Sequence, residues 1–80
     1  MSLRVIVKPE QIQAWIGERQ GTPARRRGTD TGLSIVFGEP GADYEPITVD
    51  EFVETMRFHQ IVLLVDQEPG KTFYKIYRHS

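Results

Sequence analysis

Two short basic segments contain the residues of this chain with the clearest potential for binding chemistry. Arg25, Arg26 and Arg27 stand directly before Gly28. In a strand, the first and third arginine would point to one side, where their guanidinium groups could hold neighbouring phosphates. The second segment, 71–78, interleaves basic with aromatic residues, a mixture that binds single-stranded nucleic acids by phosphate contact and base stacking.

The candidate binding surface combines both segments. Its residues are Arg25, Arg26, Arg27, Lys71, Tyr74, Lys75 and Tyr77. The same pattern has an explanation without a ligand, because edge strands extend charged side chains into solvent while their aromatic side chains pack in the core. Nucleic-acid binding is therefore kept as the alternative function.

Residue types that serve catalysis and metal binding are present without the necessary spacing. His59 and His79 are far apart in the sequence. His59 could meet Glu54 or Asp66 only through the fold, and a hydrogen-bonded structural histidine is the commoner outcome. Asp50 and Glu54 share one helical face, where exposed carboxylates are solvated. The chain also has no cysteine. From these observations together, we expect no enzymatic activity, no metal and no cofactor.

Length and composition restrict the class of protein. The 80 residues predict one domain, 1–80, with a small core. The longest apolar run, 61–65, is far shorter than the roughly 20 residues of a membrane helix, and the first residues lack the apolar stretch of a signal peptide. We expect a cytoplasmic protein. A formal net charge of −1 argues against a surface devoted entirely to nucleic acid.

Apolar periodicity predicts the first half of the fold. Residues 3–7 suit a short strand or a frayed terminus. A helix over 9–20 begins at Pro9, uses Trp15 as its core anchor and stops at Gly21. A hairpin follows, in which an Arg-rich strand at the sheet edge pairs with 33–37. Residues 38–46 are predicted to form a connecting loop.

The second half contains the clearest local signal. Thr48 as N-cap and Glu51 three residues later form a capping box, which predicts a helix that starts at Val49 and ends near Arg57 or Phe58. Residues 61–65 are apolar on both faces and predict a central strand, paired in a hairpin with a strand nearer the edge.

Together these elements predict a small single-domain α+β fold of order (β)αββαββ, with a mostly antiparallel sheet and two helices packed on one face. The predicted core comprises Trp15, Ile16, Phe37, Phe52, Met56 and Leu63.

The order of segments resembles a family of small uncharacterised bacterial proteins. Its pattern runs from a helix with a tryptophan through a GxPA step, a strand, a loop, a W/V-D-E-F/W helix start and a LAFLYQE-like strand to a final FxK strand. The matching segments are 12–19 (IQAWIGER), 21–24 (GTPA), 32–37 (GLSIVF), 47–52 (ITVDEF), 61–68 (IVLLVDQE) and 73–76 (FYKI). The chain departs from this pattern at Val49, where members often carry tryptophan, and in adding the strand-like 3–7.

Some members of that family bear the label of 1,4-α-glucan branching enzyme. Such enzymes resemble TIM-barrel glycosidases, which need about 250 residues and a pair of carboxylates across a sugar. A chain of 80 residues cannot build that barrel. The resemblance therefore implies no activity for this protein.

Uneven charge leads to the leading hypothesis for function. Residues 39–56 contain six acidic residues and no lysine or arginine, so opposed charged faces could form, although a solvated surface without a partner gives the same pattern. We expect a non-enzymatic interaction or accessory module that binds an unknown protein or associates with itself, through exposed strand edges or these charged faces.

Overall fold

A computed structural model describes residues 1–78 of the chain. In chain order the elements are β1 (Leu3–Ile6), α1 (Pro9–Glu18), β2 (Gly21–Arg26), β3 (Leu33–Phe37), β4 (Tyr44–Pro46), α2 (Val49–Phe58), β5 (Ile61–Asp66) and β6 (Tyr74–Arg78). This order confirms the predicted α+β class and shows that the initial segment forms a strand. His79, considered above for metal binding, lies outside the described residues.

The described strands form two three-stranded antiparallel sheets. The first sheet has the order β1-β5-β6, with β5 in the predicted central position, and the second has the order β3-β2-β4. At their boundary, the Tyr74 hydroxyl of β6 accepts a hydrogen bond from the Ile35 N–H of β3 at 3.1 Å. The contact between β3 and β6 is thus made by the Tyr74 side chain, and no backbone ladder within residues 1–78 joins these two strands into one sheet.

Each sheet combines strands from both halves of the chain. Residues 1–38 contain β1, α1, β2 and β3, and residues 44–78 repeat the same order of element types with β4, α2, β5 and β6. However, β1 pairs with β5 and β4 pairs with β2. Each half therefore supplies an edge strand to the sheet built on the other half's hairpin.

The Arg-rich strand β2 is the centre of the second sheet, so the predicted edge position is wrong. The predicted loop 38–46 contains β4, which pairs with β2 from Ala24 to Arg26. A strand of three residues is too short to show alternation, and this one ends in Pro46. The central strand tolerates its charge because Arg25 reaches α2, where it donates a hydrogen bond to Thr55 Oγ1 at 2.8 Å.

Helix α1 begins at Pro9 as predicted and ends at Glu18, two residues earlier than expected. Gln20, with φ of 56°, adopts the left-handed conformation that the sequence suggested for Gly21. Gly21 instead begins β2, where an added Cβ would lie 3.0 Å from the side chains of Ile35 and Phe37. Its lack of a side chain serves close packing rather than helix termination.

Helix α2 has the predicted bounds. The Thr48 side chain accepts a hydrogen bond from the Glu51 N–H at 3.0 Å, a cap that contributes about 1 kcal/mol. Its apolar face buries Phe52, Val53 and Met56.

Both helices contribute to one apolar core. Five of the six predicted core residues are buried, and Phe37 packs against the cluster as a partly buried neighbour. The Cα extents of 33 × 32 × 19 Å fit one layer of helices on one layer of strands. Within residues 1–78, neither helix is long and apolar enough to cross a membrane.

Candidate interaction surface

The structure gives the three arginines of the candidate binding surface different environments. Arg25 points toward α2, and its buried Nε has no hydrogen-bond partner among the described residues. Arg27 donates to the Ala42 carbonyl at 2.9 Å and forms an exposed ion pair with Glu45 at 3.4 Å. Arg26 is exposed. The arginine run therefore does not present a single row of free guanidinium groups.

The aromatic and lysine residues of that surface are also divided. The Tyr74 ring packs edge-on against Trp15 at a centroid distance of 6.5 Å, and its hydroxyl is held by β3. Lys71 is exposed in the turn before β6. Lys75 and Tyr77 are also exposed and, since they are two apart on β6, share the opposite side of that strand from Tyr74. The structure thus brings Lys75 and Tyr77 together and packs Tyr74, partly buried, against the core.

That side of the first sheet is an exposed apolar surface, called here the outer face. It consists of the side chains of Leu3, Val5, Val7, Val62, Leu64, Phe73, Lys75 and Tyr77. The exposed fractions are 44% for Leu3, 47% for Val5, 44% for Val7, 45% for Phe73 and 38% for Tyr77. Most of the large exposed apolar side chains among residues 1–78 therefore lie on one sheet face.

The strand register explains why this face is apolar. Val5 pairs with Leu64, and Leu64 pairs with Lys75, so these three side chains form one row across the sheet. On the inner face, Ile6 and Leu63 are 4% and 0% exposed and fill the core. Because β5 is apolar on both faces and the helices cover only one, the other remains in solvent.

No strand within residues 1–78 pairs with the outer edge of β1, and this free edge adjoins the outer face. The Ser2 carbonyl accepts a hydrogen bond from the Gln67 N–H at 2.7 Å. This bond shows which alternate residues of β1 direct their backbone groups toward β5. In an antiparallel ladder, residues bonded to the neighbouring strand alternate with residues whose N–H and C=O point away from it. Leu3 and Val5 therefore direct both their backbone polar groups away from β5.

Asp66 organises the end of this surface. It is buried, and its Oδ1 accepts hydrogen bonds from the N–H groups of Glu68 at 3.0 Å and Ser2 at 3.3 Å. The Glu68 N–H, above all, holds the pKa of the Asp66 carboxyl below its ordinary value of 3.8 against the opposing effect of burial. The ionised carboxylate thus joins the start of β1 to the turn after β5.

This lowered pKa predicts an acid-sensitive contribution to stability. Because the pKa is lower in the folded state, the carboxylate contributes fully above pH 3.8 and loses its contribution as the pH falls through the folded pKa. Asp66→Asn should therefore be less stable than the parent at neutral pH, and the difference in their free energies of unfolding should narrow below pH 3.8. Urea unfolding at several pH values measures it, and a gap independent of pH would contradict the assignment.

A second surface feature is a cleft of about 450 Å³ between β2 and α2, whose lining includes Arg25, Glu54 and His59. The lining also includes Phe58, which is 81% exposed, so His59 and Glu54 line a cleft that is open to solvent. Among residues 1–78 no three His, Cys, Asp or Glu side chains are close enough together to hold a metal ion. The expectation that the protein has no enzymatic activity stays a prediction.

Comparison with known proteins gave no match to a protein-family model, to a curated protein or to a solved structure. The resemblance to the bacterial family stays a prediction. Any assignment of function therefore depends on the geometry of this chain alone.

Sequence reasoning found Lys75 and Tyr77 but missed the apolar side chains around them. The alternation of residues 3–7 indicated a strand, yet Ile6 is buried whereas Leu3 and Val5 are exposed. Period alone does not say which face of a strand is covered. The available signal was the doubly apolar β5, whose outward side chains Val62 and Leu64 are only half-buried.

Proposed function

We propose that this chain is a non-enzymatic, cytoplasmic interaction module that binds protein through its outer face and also associates with itself. The observation that carries the proposal is the set of apolar side chains exposed together on a hydrogen-bonded sheet. Antiparallel sheets that face water usually alternate apolar with polar side chains. A contiguous apolar patch on an ordered surface is typical of a contact site for another protein.

The chemistry of the outer face indicates what a partner must supply. Lys75 stands beside Leu64 in the central row, with Val5 on the other side. An apolar partner surface with a carboxylate opposite Lys75 would bury the patch while pairing its charge, and an unpaired buried ammonium would cost binding energy. We therefore propose a partner surface that is apolar with an acidic residue near its centre.

Photo-crosslinking in cells that make the protein tests this proposal. A photoreactive amino acid replaces Leu64 on the outer face or, as a matched control, Gln13 on the exposed side of α1. We expect protein adducts from position 64, fewer after Lys75→Glu, and none above background from position 13. Equal labelling from both positions would refute the proposal. Adducts with RNA or DNA from position 64 would support the alternative function, nucleic-acid binding.

A further inference from the structure

We infer that two copies of this chain pair through the free edges of β1 and so join their first sheets into one six-stranded antiparallel sheet. The inference deepens the self-association part of the proposed function by naming the contact. It requires the β1 edge and leaves the part of the outer face on β5 and β6 free for another partner.

The β1 edge has the features of a pairing strand. Leu3 and Val5 direct their N–H and C=O groups away from β5, as the Ser2–Gln67 hydrogen bond requires. Natural edge strands usually prevent pairing by proline, bulges or charged side chains, including charges that point inward. Between Leu3 and Val7 there is no proline, and the one charged residue, Arg4, alternates with the residues of the outer face. The side chains next to the free edge are apolar and exposed.

A two-fold arrangement centred on Val5 satisfies the side chains as well as the backbone. In that register Val5 faces its own copy, Leu3 faces Val7, and Arg4 faces Ile6. No two like charges stand opposite each other, which would be destabilising across a strand pair. The pairing buries three apolar side chains from each copy against one another, so the surface is complementary to itself, as a two-fold contact requires.

A groove at the end of β1 adds contact area. Its volume is about 600 Å³, and it is lined by Val7, Lys8, Met56, Arg57, Gln60, Ile61 and Val62. The same register brings residues 2 and 3 of the second copy beside Lys8 and Val7 of the first, which form one wall of this groove. The contact still involves only one short strand from each copy. We expect its buried area to be smaller than the roughly 1,200–2,000 Å² of a standard interface. We therefore infer a concentration-dependent dimer with exchange between free and paired copies.

Pairing through β1 has a consequence for the outer face. The two faces become neighbours on one sheet, so a partner meets two Lys75 side chains and a doubled apolar surface. A bivalent partner would then bind more tightly than a monovalent one, because its second contact is intramolecular.

Analytical sedimentation of the parent chain and of Val5→Pro, over about micromolar to millimolar concentration, measures the dimer Kd and so tests the pairing. Proline at this position removes an N–H that points away from β5, so the β1–β5 ladder keeps its hydrogen bonds. We expect the parent chain to dimerise and Val5→Pro to raise the dimer Kd at least tenfold. Val5→Ala keeps the N–H and should raise the Kd less. A parent chain that stays monomeric throughout, or a Val5→Pro dimer as tight as the parent, would overturn the inference.

A second measurement avoids dependence on the folding of the proline variant. The chain has no cysteine, so a single Val5→Cys substitution would place one thiol next to its copy at the two-fold axis. We expect it to form a disulfide-linked dimer under mild oxidation, many times faster than Gln13→Cys on α1. Equal rates would overturn the inference. Protein adducts from position 64 in a chain that does not dimerise would support partner binding through the outer face and refute self-association. Dimerisation without such adducts would support this inference and leave partner binding unsupported.

Discussion

Replacement of Arg19 by methionine should lower the free energy of unfolding by about 2–4 kcal/mol, because it removes several hydrogen bonds that a charged, almost fully covered side chain donates to backbone carbonyls. The Arg19 side chain is only 2% exposed. Its guanidinium donates to the backbone carbonyls of Trp15 at 3.1 Å and of Glu68 at 2.9 Å, and also to those of Asp66 and Lys71. It therefore ties the end of α1 to the turn after β5.

Stacking adds to these hydrogen bonds. The Arg19 guanidinium carbon lies 4.5 Å from the centre of the Trp15 ring, while the Trp15 Nε1 donates to the Asp66 carbonyl at 2.8 Å. Methionine can fill much of the same space but donates no hydrogen bond, so the turn carbonyls would lose their partner. The flexible ammonium of Arg19→Lys cannot serve four carbonyls in a planar fork, and its stability should fall between the two.

Urea denaturation of the parent and of the variants at position 19 measures this effect. Glu18→Gln is the matched control, because Glu18 forms an ion pair with the same guanidinium but its side chain is 72% exposed. Exposed ion pairs contribute about 0–1 kcal/mol. A loss for Arg19→Met no larger than that for Glu18→Gln would show that the turn does not depend on Arg19.

A loss of about 3–5 kcal/mol is expected when Phe52 is replaced by alanine. Phe52 is 0% exposed and lies on the buried face of α2. Removal of its ring leaves a cavity that the surrounding side chains can fill only in part. Small domains have a total stability of about 5–15 kcal/mol, so this single change should consume a large part of it.

The same helix provides a control of identical chemistry. Phe58 is 81% exposed, and Phe58→Ala should change stability by no more than about 0.5 kcal/mol. Thermal and urea unfolding of both variants measure the difference. Similar losses for the two would mean that the helix does not pack on the sheets through its Phe52 face.

Local signals made the helices predictable. The Thr48 cap, the periodic Phe52 and Met56, and Pro9 at the first turn depend on interactions within a few residues, which a sequence displays directly. The same holds for the central strand, because apolar side chains on both of its faces require neighbours. These features correctly located α1, α2, β5 and the core.

Long-range pairing limited the remainder of the fold prediction. Whether β2 lies at an edge or in the centre depends on β4, which is three residues long and about 20 residues away in sequence. At the boundary between the two sheets, the Tyr74 hydroxyl accepts a hydrogen bond from β3, and no periodicity in the sequence indicates where a hydroxyl will bind. The network of Arg19 was equally hidden, since its acceptors are backbone carbonyls that every residue possesses.

The candidate surface was predictable in part. Composition identified Lys75 and Tyr77 as surface residues of β6 but grouped them with Tyr74. Because side chains alternate along a strand, the Tyr74 ring points toward the core instead. Most of the surrounding apolar side chains come from β1 and β5, which are distant in sequence and meet only in the folded sheet. Their exposure depends on which face the helices cover, and that is decided by tertiary packing.

The exchange of edge strands between the two halves has a consequence for synthesis. Leu3 pairs with Asp66, so β1, which is synthesised before β5, must wait until the ribosome has added the residues up to Asp66 before its ladder can form. Until then an apolar strand without a neighbour remains in solvent, where it can bind to other growing chains or to chaperones. The order in which this protein is made thus opposes the order in which its first sheet can close.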